Sequence, residues 1–107
     1  MSFDPERTYH ELERAGLYWA DADAAASMYE ESKKSVLADL MNETNGGTNV
    51  ERERHALASR VFKEHVEKMV AARKEANRAK VRYDALRVLA EMRRTEESTR
   101  RAEASLR

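Results

Sequence analysis

A long alternation of four-residue and three-residue steps between mostly apolar positions constrains this chain more than any other feature. The repeat runs without interruption from residue 58 to residue 90 through Ala58, Phe62, His65, Met69, Ala72, Ala76, Ala79, Tyr83, Leu86 and Ala90. This spacing is typical of a helix that packs along one partner helix in a left-handed coiled coil. The second half of the chain is therefore predicted to be one long helix.

The first half carries a matching repeat. Asp4 and Pro5 predict a helix start, because Asp caps free backbone N–H groups and Pro at the first helical position loses no hydrogen bond. The repeat then follows Leu12, Ala15, Trp19, Ala22, Ala26, Tyr29, Lys33, Val36 and Leu40. The only predicted break is Asn45-Gly46-Gly47, after which Thr48 can cap a new helix. The chain is thus predicted to be all-α, with a helix at about 5–43, a turn at about 44–49 and a helix at about 50–100.

Two long helices joined by a short turn pack as antiparallel neighbours, here as a two-helix coiled-coil hairpin. Asp23 then faces Arg73, an opposite charge that favours this register. The predicted intrachain seam is Leu12, Trp19, Tyr29, Val36, Leu40, Phe62, His65, Met69, Tyr83 and Leu86. Because the apolar seam ends at Ala90, residues 1–90 are predicted to form the hairpin. Residues 91–107 are predicted to be a charged helical overhang or a frayed tail.

The composition agrees with long helices in a cytoplasmic protein. Charged residues make up 37% of the chain, whereas Gly and Pro together contribute four residues. The absence of cysteine excludes a disulfide framework and a thiol nucleophile. No apolar run is long enough for a membrane span and no signal peptide is recognisable, so no membrane association is expected.

The chain lacks the residue patterns of common enzymes. Gly46-Gly47 is not followed by the Gly-Lys-Ser/Thr of a phosphate-binding loop, and no Gly-x-Ser-x-Gly arrangement occurs. We expect no catalytic site and no cofactor. A helical metal-binding protein is the weakest alternative, based on His10, His55 and His65. His65 lies on the seam opposite Tyr29, which predicts a core imidazole bonded to Tyr29 or to backbone.

Charge is unevenly divided between the two halves. Residues 1–49 carry 4 basic and 10 acidic side chains, and residues 50–107 carry 16 basic and 10 acidic ones. A basic flank repeats every seven residues at Arg73, Lys80, Arg87, Arg94 and Arg101. Pairing of this flank with the acidic first half is the favoured interpretation. Contact with nucleic acid or with an acidic partner is the alternative.

A second apolar set lies off the seam. On the second helix it comprises Val66, Val70, Val81, Val88, Leu89 and Met92, and on the first helix Tyr18, Met28, Leu37 and Met41. A single hairpin buries only one face, so this set predicts a homo-oligomer, with a dimer forming a helical bundle favoured. A different protein partner remains open.

Residues 51–103, which begin ERERHALASRVFKEHVEK and continue as an Ala-, Arg- and Glu-rich helix, resemble short helical proteins of bacteriophages and prophages. The resemblance implies the cytoplasm of a bacterial or phage-infected host and an accessory role in phage DNA metabolism. Together with the seam, it leads us to expect a non-enzymatic interaction or assembly protein. A nucleic-acid-binding accessory factor is the alternative.

Overall fold

The computed structural model describes residues 3–106 and contains three helices. They are α1, Pro5–Glu43, α2, Asn49–Ala58, and α3, Arg60–Ser105, and no strand occurs in that part of the chain. The predicted all-α class is confirmed, and the bounds of the first helix agree with the prediction. The molecule is a rod with extents of 86 × 17 × 17 Å.

Side-chain caps explain where α1 and α2 begin. Asp4 accepts a hydrogen bond from the backbone N–H of Arg7 at 3.2 Å, and Pro5 occupies the first turn. Thr48 accepts in the same way from the N–H of Glu51 at 3.2 Å. Between the two helices, Gly46 and Gly47 adopt φ values of 79° and 85°, a region that glycine enters without a Cβ clash. The turn predicted at about 44–49 is therefore present between α1 and α2, and it contains the two glycines.

The prediction of one uninterrupted helix from about residue 50 to residue 100 is wrong, because the helix breaks at Ser59. Ser59 has an extended ψ of 150°, its hydroxyl accepts from the N–H of Phe62 at 3.2 Å, and it donates to the carbonyl of Ala56 at 2.7 Å. Serine competes with helical backbone bonds in this way and so favours helix ends. The break resets the helical phase, which leaves Ala56 buried and Ala58 exposed. The apolar seam therefore does not pass through Ala58.

α1 and α3 lie side by side and run antiparallel. Tyr29 contacts His65, Asp23 contacts Arg73, and Trp19 lies against Tyr83. Residue numbers therefore rise along α3 as they fall along α1, which is the antiparallel arrangement. The predicted charge pair between Asp23 and Arg73 is present at 2.7 Å. The same register would also allow Glu11 to pair with Arg82 and Asp39 with Arg54, but neither ion pair forms within 4 Å among residues 3–106. Glu11 instead binds Arg7 of its own helix at 3.3 Å.

The core between the helices is small. Its buried residues are four alanines and one aromatic: Ala26, Ala56, Phe62, Ala76 and Ala79. The larger seam residues, such as Trp19 and Met69, are only half-buried. Alanine lets two helices approach closely but removes little apolar surface from water. The intrachain contact therefore buries less than a chain of this length usually does.

Gly16 makes room for the largest aromatic contact. A Cβ placed on Gly16 would lie 3.4 Å from Cε2 of Tyr83, so the ring packs directly over the glycine. The Tyr83 ring also stacks at 5.6 Å on Trp19, with the two planes tilted by 31°. Trp19 thus packs on another aromatic residue of the predicted seam.

Candidate interaction surfaces

Arg73 joins α3 to two carboxylates of α1. Its guanidinium donates to Asp23 at 2.7 Å and to both oxygens of Glu30 at 2.7 and 2.9 Å, with a longer bond to the Ser27 hydroxyl at 3.4 Å. A planar guanidinium can satisfy two carboxylates at once, which an ammonium group does less well. The first member of the basic flank is therefore occupied within the chain.

This cluster changes the acidity of its members. Hydrogen bonding from Arg73, reinforced by its positive charge, holds the pKa of Glu30 below its ordinary value of 4.5, against a smaller opposing effect of desolvation. The hydrogen bonds that Arg73 donates to Glu30 and Asp23 raise the pKa of Arg73, so that side chain stays charged at any working pH. The cluster is a permanent interhelical ion pair at neutral pH.

The remaining members of the basic flank make weaker contacts. The Lys80 ammonium lies 5.8 Å from the centroid of the Trp19 ring, a cation–π distance. Arg87 lies 4.0 Å from Asp84, and Arg101 lies 3.8 Å from Glu97. Arg94 has no carboxylate within 4 Å among residues 3–106. The flank is thus partly neutralised along its length.

A groove of about 640 Å³ lies where the start of α1 meets the far end of α3. One wall is apolar, with Phe3, Pro5 and Tyr9, and the other carries the cations Arg87, Arg94 and Arg101 together with Glu91 and Glu97. The groove extends along α3 to Arg101, beyond Ala90, where the predicted apolar seam ends. Three of the five flank cations line the same groove as the exposed Tyr9.

His65 is bound within the interface between the helices. Its Nε2 donates to the backbone carbonyl of Tyr29 at 2.9 Å, and the two rings meet edge to face at 5.7 Å. His10 and His55 lie on α1 and α2, and His10 is 3.9 Å from Glu6. Residues 3–106 contain no group of three or more His, Asp or Glu side chains placed to hold a metal ion.

The second apolar set is largely exposed on α3. Val70, Val81, Val88 and Met92 are between 51% and 68% exposed, Leu89 is 41% exposed, and Val66 is half-buried. Val81 is two residues along α3 from the buried Ala79, and two residues correspond to slightly more than half a helical turn. Val81 therefore lies on the side of α3 opposite Ala79. The outer stripe of α3, which we define as Val70, Val81, Val88 and Met92, therefore faces away from α1.

An open groove of about 880 Å³ runs beside the Val70 and Val81 part of this stripe and reaches Glu30 of α1. It is lined by Val70, Val81 and Ala85 and bordered by Lys74, Arg78 and Arg82. None of these three cations has a carboxylate within 4 Å in the described part of the chain. An exposed apolar stripe bordered by unpaired cations suits a partner helix that is apolar and acidic.

On α1, the four apolar residues of the second set divide into two pairs. Tyr18 and Met28 are exposed, at 48% and 71%, whereas Leu37 and Met41 are half-buried. The Tyr18 hydroxyl donates to Glu75 of α3 at 2.6 Å, and this bond together with the Glu75 charge raises the pKa of Tyr18 above 10.0. Tyr18 thus makes an interhelical contact that the sequence did not indicate.

The ten predicted seam residues are all buried or half-buried. Besides the Tyr18–Glu75 contact, the sequence missed three features of these surfaces. Glu30 joins Asp23 on Arg73, Tyr9 lines the same groove as three cations of α3, and Leu17 is an exposed apolar residue on α1. A carboxylate seven residues after Asp23 lies on the same helical face, and that spacing is the signal that identifies Glu30.

Comparisons with protein-family models, with curated proteins and with solved structures gave no match to this chain. The observations define an all-α protein of three helices. No helix within residues 3–106 is both long and apolar enough to cross a membrane. The resemblance of residues 51–103 to phage proteins stays a prediction.

Proposed function

We propose that this chain is a non-enzymatic assembly protein whose α1–α3 coiled-coil seam presents the outer stripe of α3 for self-association into a helical bundle. The observation that carries the proposal is the surface left accessible to water. A compact monomer of 12.3 kDa exposes about 6,100 Å² by the usual scaling, whereas this chain exposes 8617 Å². The excess on this one chain is larger than the roughly 800 Å² per partner that a standard specific interface buries.

The small intrachain core supports the same proposal. Four of the five buried residues are alanines, so burial of the outer stripe would add apolar contacts that the monomer lacks. Complete burial of a fully exposed valine contributes about 1.5–3 kcal/mol, and the stripe valines, which are already partly covered, would contribute a part of that each. Self-association is therefore the simplest route to a stable fold.

Sedimentation velocity over a concentration series tests this function. The wild type is expected to associate at micromolar concentration, and the double variant Val81→Gln with Val88→Gln is expected to shift toward monomer. Val50→Gln with Val61→Gln is the matched control, since these valines are 65% and 56% exposed but lie off the outer stripe. A wild type that stays monomeric throughout the series would contradict the proposal.

Nucleic-acid binding through Arg73, Lys80, Arg87, Arg94 and Arg101 is the second candidate function. The groove of about 640 Å³ between the start of α1 and the far end of α3 favours it, because Arg87, Arg94 and Arg101 line that groove together with Tyr9. Cations combined with an aromatic side chain are what single strands bind. Occupation of Arg73 by Asp23 and Glu30 counts against a contact along the whole flank.

Fluorescence anisotropy with a labelled single-stranded oligonucleotide tests the second candidate. Binding through the groove should weaken as salt rises and should be lost in Arg87→Glu with Arg94→Glu. Lys63→Glu with Lys68→Glu makes the same charge change outside the groove. Equal binding by both variants would exclude the groove as the site.

By its resemblance to phage proteins, the chain would act as an accessory protein in the cytoplasm of a bacterial or phage-infected host. This part of the proposal rests on residues 51–103 alone. Recovery of the protein with host or phage components after affinity purification from infected cells would support it.

A further inference from the structure

The outer face of α1 carries its own apolar stripe. Leu17 and Met28 are 58% and 71% exposed, and Ala20 and Ala24 between them are also exposed. Met28 stands two residues from fully buried Ala26, which places it slightly more than half a turn away. The outer stripe of α1, defined as Leu17, Ala20, Ala24 and Met28, therefore faces away from α3.

The border of this stripe is mainly acidic. Four carboxylates are exposed on the same side of α1, together with the cation Arg14, and none of the four has a cation within 4 Å among residues 3–106; they are Glu13, Asp21, Glu31 and Asp39.

The border of the outer stripe of α3 is mainly basic. It carries Lys74, Arg78 and Arg82, together with Glu67 and with Asp84, which lies 4.0 Å from Arg87. The two outer faces are thus both apolar, with an excess of negative charge on α1 and of positive charge on α3.

From this complementarity we propose that self-association is heterologous, so that the outer face of α1 in one copy packs on the outer face of α3 in the next. The inference rests on the self-association proposed above and specifies its geometry. A twofold contact between two α3 stripes would bring Lys74, Arg78 and Arg82 of one copy near those of the other, and a contact between two α1 stripes would do the same with carboxylates. The α1-to-α3 contact pairs opposite charges instead.

The two outer faces point in opposite directions, because each lies on the side of its helix away from the other helix. A single partner cannot cover both faces of one copy. Each copy therefore binds one neighbour through α1 and another through α3, which gives an open row of helices or a closed ring rather than a twofold dimer.

A mixing experiment with two double variants tests this geometry. Leu17→Gln with Met28→Gln removes apolar contacts from the α1 face only, and Val81→Gln with Val88→Gln removes them from the α3 face only. All four sites are exposed, and circular dichroism checks that helical content is kept. Each variant alone is expected to be mainly monomeric, while an equimolar mixture forms a one-to-one complex of twice the chain mass, because each variant keeps one intact face.

Other outcomes overturn the inference. If the α1 variant self-associates like the wild type and the α3 variant stays monomeric even in the mixture, the contact is a twofold one between α3 faces. If instead the α3 variant self-associates and the α1 variant stays monomeric, the contact is a twofold one between α1 faces. If both variants self-associate, or if the mixture stays monomeric, neither face makes the contact as proposed. A monomeric wild type contradicts the assembly function itself, which separates the two failures.

Salt provides an independent measurement. Opposite charges across the contact predict that wild-type association weakens as ionic strength rises from about 50 mM to about 500 mM, because exposed charges are screened. A contact between like-charged faces would strengthen over the same range. Strengthening with salt would therefore overturn the heterologous geometry even if the protein self-associates.

Discussion

The guanidinium of Arg73 in α3 binds both carboxylate oxygens of Glu30 in α1, with donor–acceptor distances of 2.7 and 2.9 Å. The same guanidinium holds Asp23 at 2.7 Å, two helical turns earlier on α1. One side chain of α3 thus fixes the lengthwise position of α1 at two points. Surface ion pairs add little stability in general, but a bidentate geometry shared by two carboxylates is the favourable case.

Replacement of Arg73 is expected to lower the melting temperature in a graded way. Arg73→Lys keeps the positive charge but loses the two parallel hydrogen bonds to Glu30, whereas Arg73→Met loses the charge as well as the hydrogen bonds. Thermal unfolding followed by circular dichroism should rank the wild type above Arg73→Lys and that variant above Arg73→Met. Lys63→Met, at an exposed site with no carboxylate within 4 Å in the described chain, should unfold like the wild type. Equal melting temperatures for all four proteins would show that the cluster adds no stability.

Acid should weaken the same cluster through Glu30. Because Arg73 lowers the folded-state pKa of Glu30 below 4.5, the stabilisation is complete above that ordinary value and is lost as pH falls through the folded pKa. Urea unfolding between about pH 7 and pH 3 should therefore show a smaller acid-induced loss of stability in Glu30→Gln than in the wild type. Glu31→Gln is the control, since Glu31 has no cation within 4 Å among the described residues and should keep the wild-type pH dependence. An unchanged dependence in Glu30→Gln would contradict the role of this carboxylate.

The same substitution should have opposite effects at two glycines. Gly16→Ala is expected to stabilise the chain by up to about 1 kcal/mol through helix propensity, because the new Cβ meets Tyr83 at 3.4 Å, an ordinary contact. Gly47→Ala should destabilise by about 1 kcal/mol or more, since a Cβ is strained at positive φ, and it would also lie 2.9 Å from a Glu51 oxygen. Urea titrations give both values. Gly16→Leu should reverse the gain at that site, and a stabilised Gly16→Leu would disprove close packing by Tyr83.

Loss of the Ser59 hydroxyl should destabilise the junction between α2 and α3. Ser59→Ala removes the cap on the Phe62 N–H and the bond to Ala56, which costs about 1 kcal/mol for a typical N-cap. Urea unfolding measures the change, and Ser35→Ala is a control at an exposed helical serine. If Ser59→Ala is as stable as the wild type and gains helical signal, α2 and α3 can fuse into the single helix that the sequence alone suggested.

Much of the fold could be predicted because it depends on local chemistry. Asp4 with Pro5, the two glycines and Thr48 fix the ends of α1 and α2 through caps and backbone conformations that are properties of the residues themselves. The charge of Asp23 opposite Arg73 was likewise enough to indicate the antiparallel register. The caps and the turn depend only on neighbouring residues, and the Asp23–Arg73 pair depends only on opposite charge at matching positions.

The features that could not be predicted depend on competition between nearly equal alternatives. Ser59 can continue a helix or cap one, and the outcome depends on whether Ala56 or Ala58 packs better against α1. The position of Tyr83 depends on the space that Gly16 leaves, and the sequence pattern does not specify which residues meet across the seam in three dimensions. The spacing from Asp23 places Glu30 on the appropriate face of α1, but the sequence does not show that the Arg73 side chain reaches both carboxylates.

The single connection at Gly46-Gly47 joins α1 to the other helices at one end of the rod, and this has a consequence for the order of folding. Tyr29 and His65 are 36 residues apart along the chain, whereas Asp23 and Arg73 are 50 apart, so the loop to be closed lengthens with distance from the turn. The entropy of loop closure favours the nearer contacts first, and each one shortens the loop that the next must close. Folding is therefore expected to proceed like a zipper from the turn, and the end that carries Phe3 and Arg101 is expected to open first.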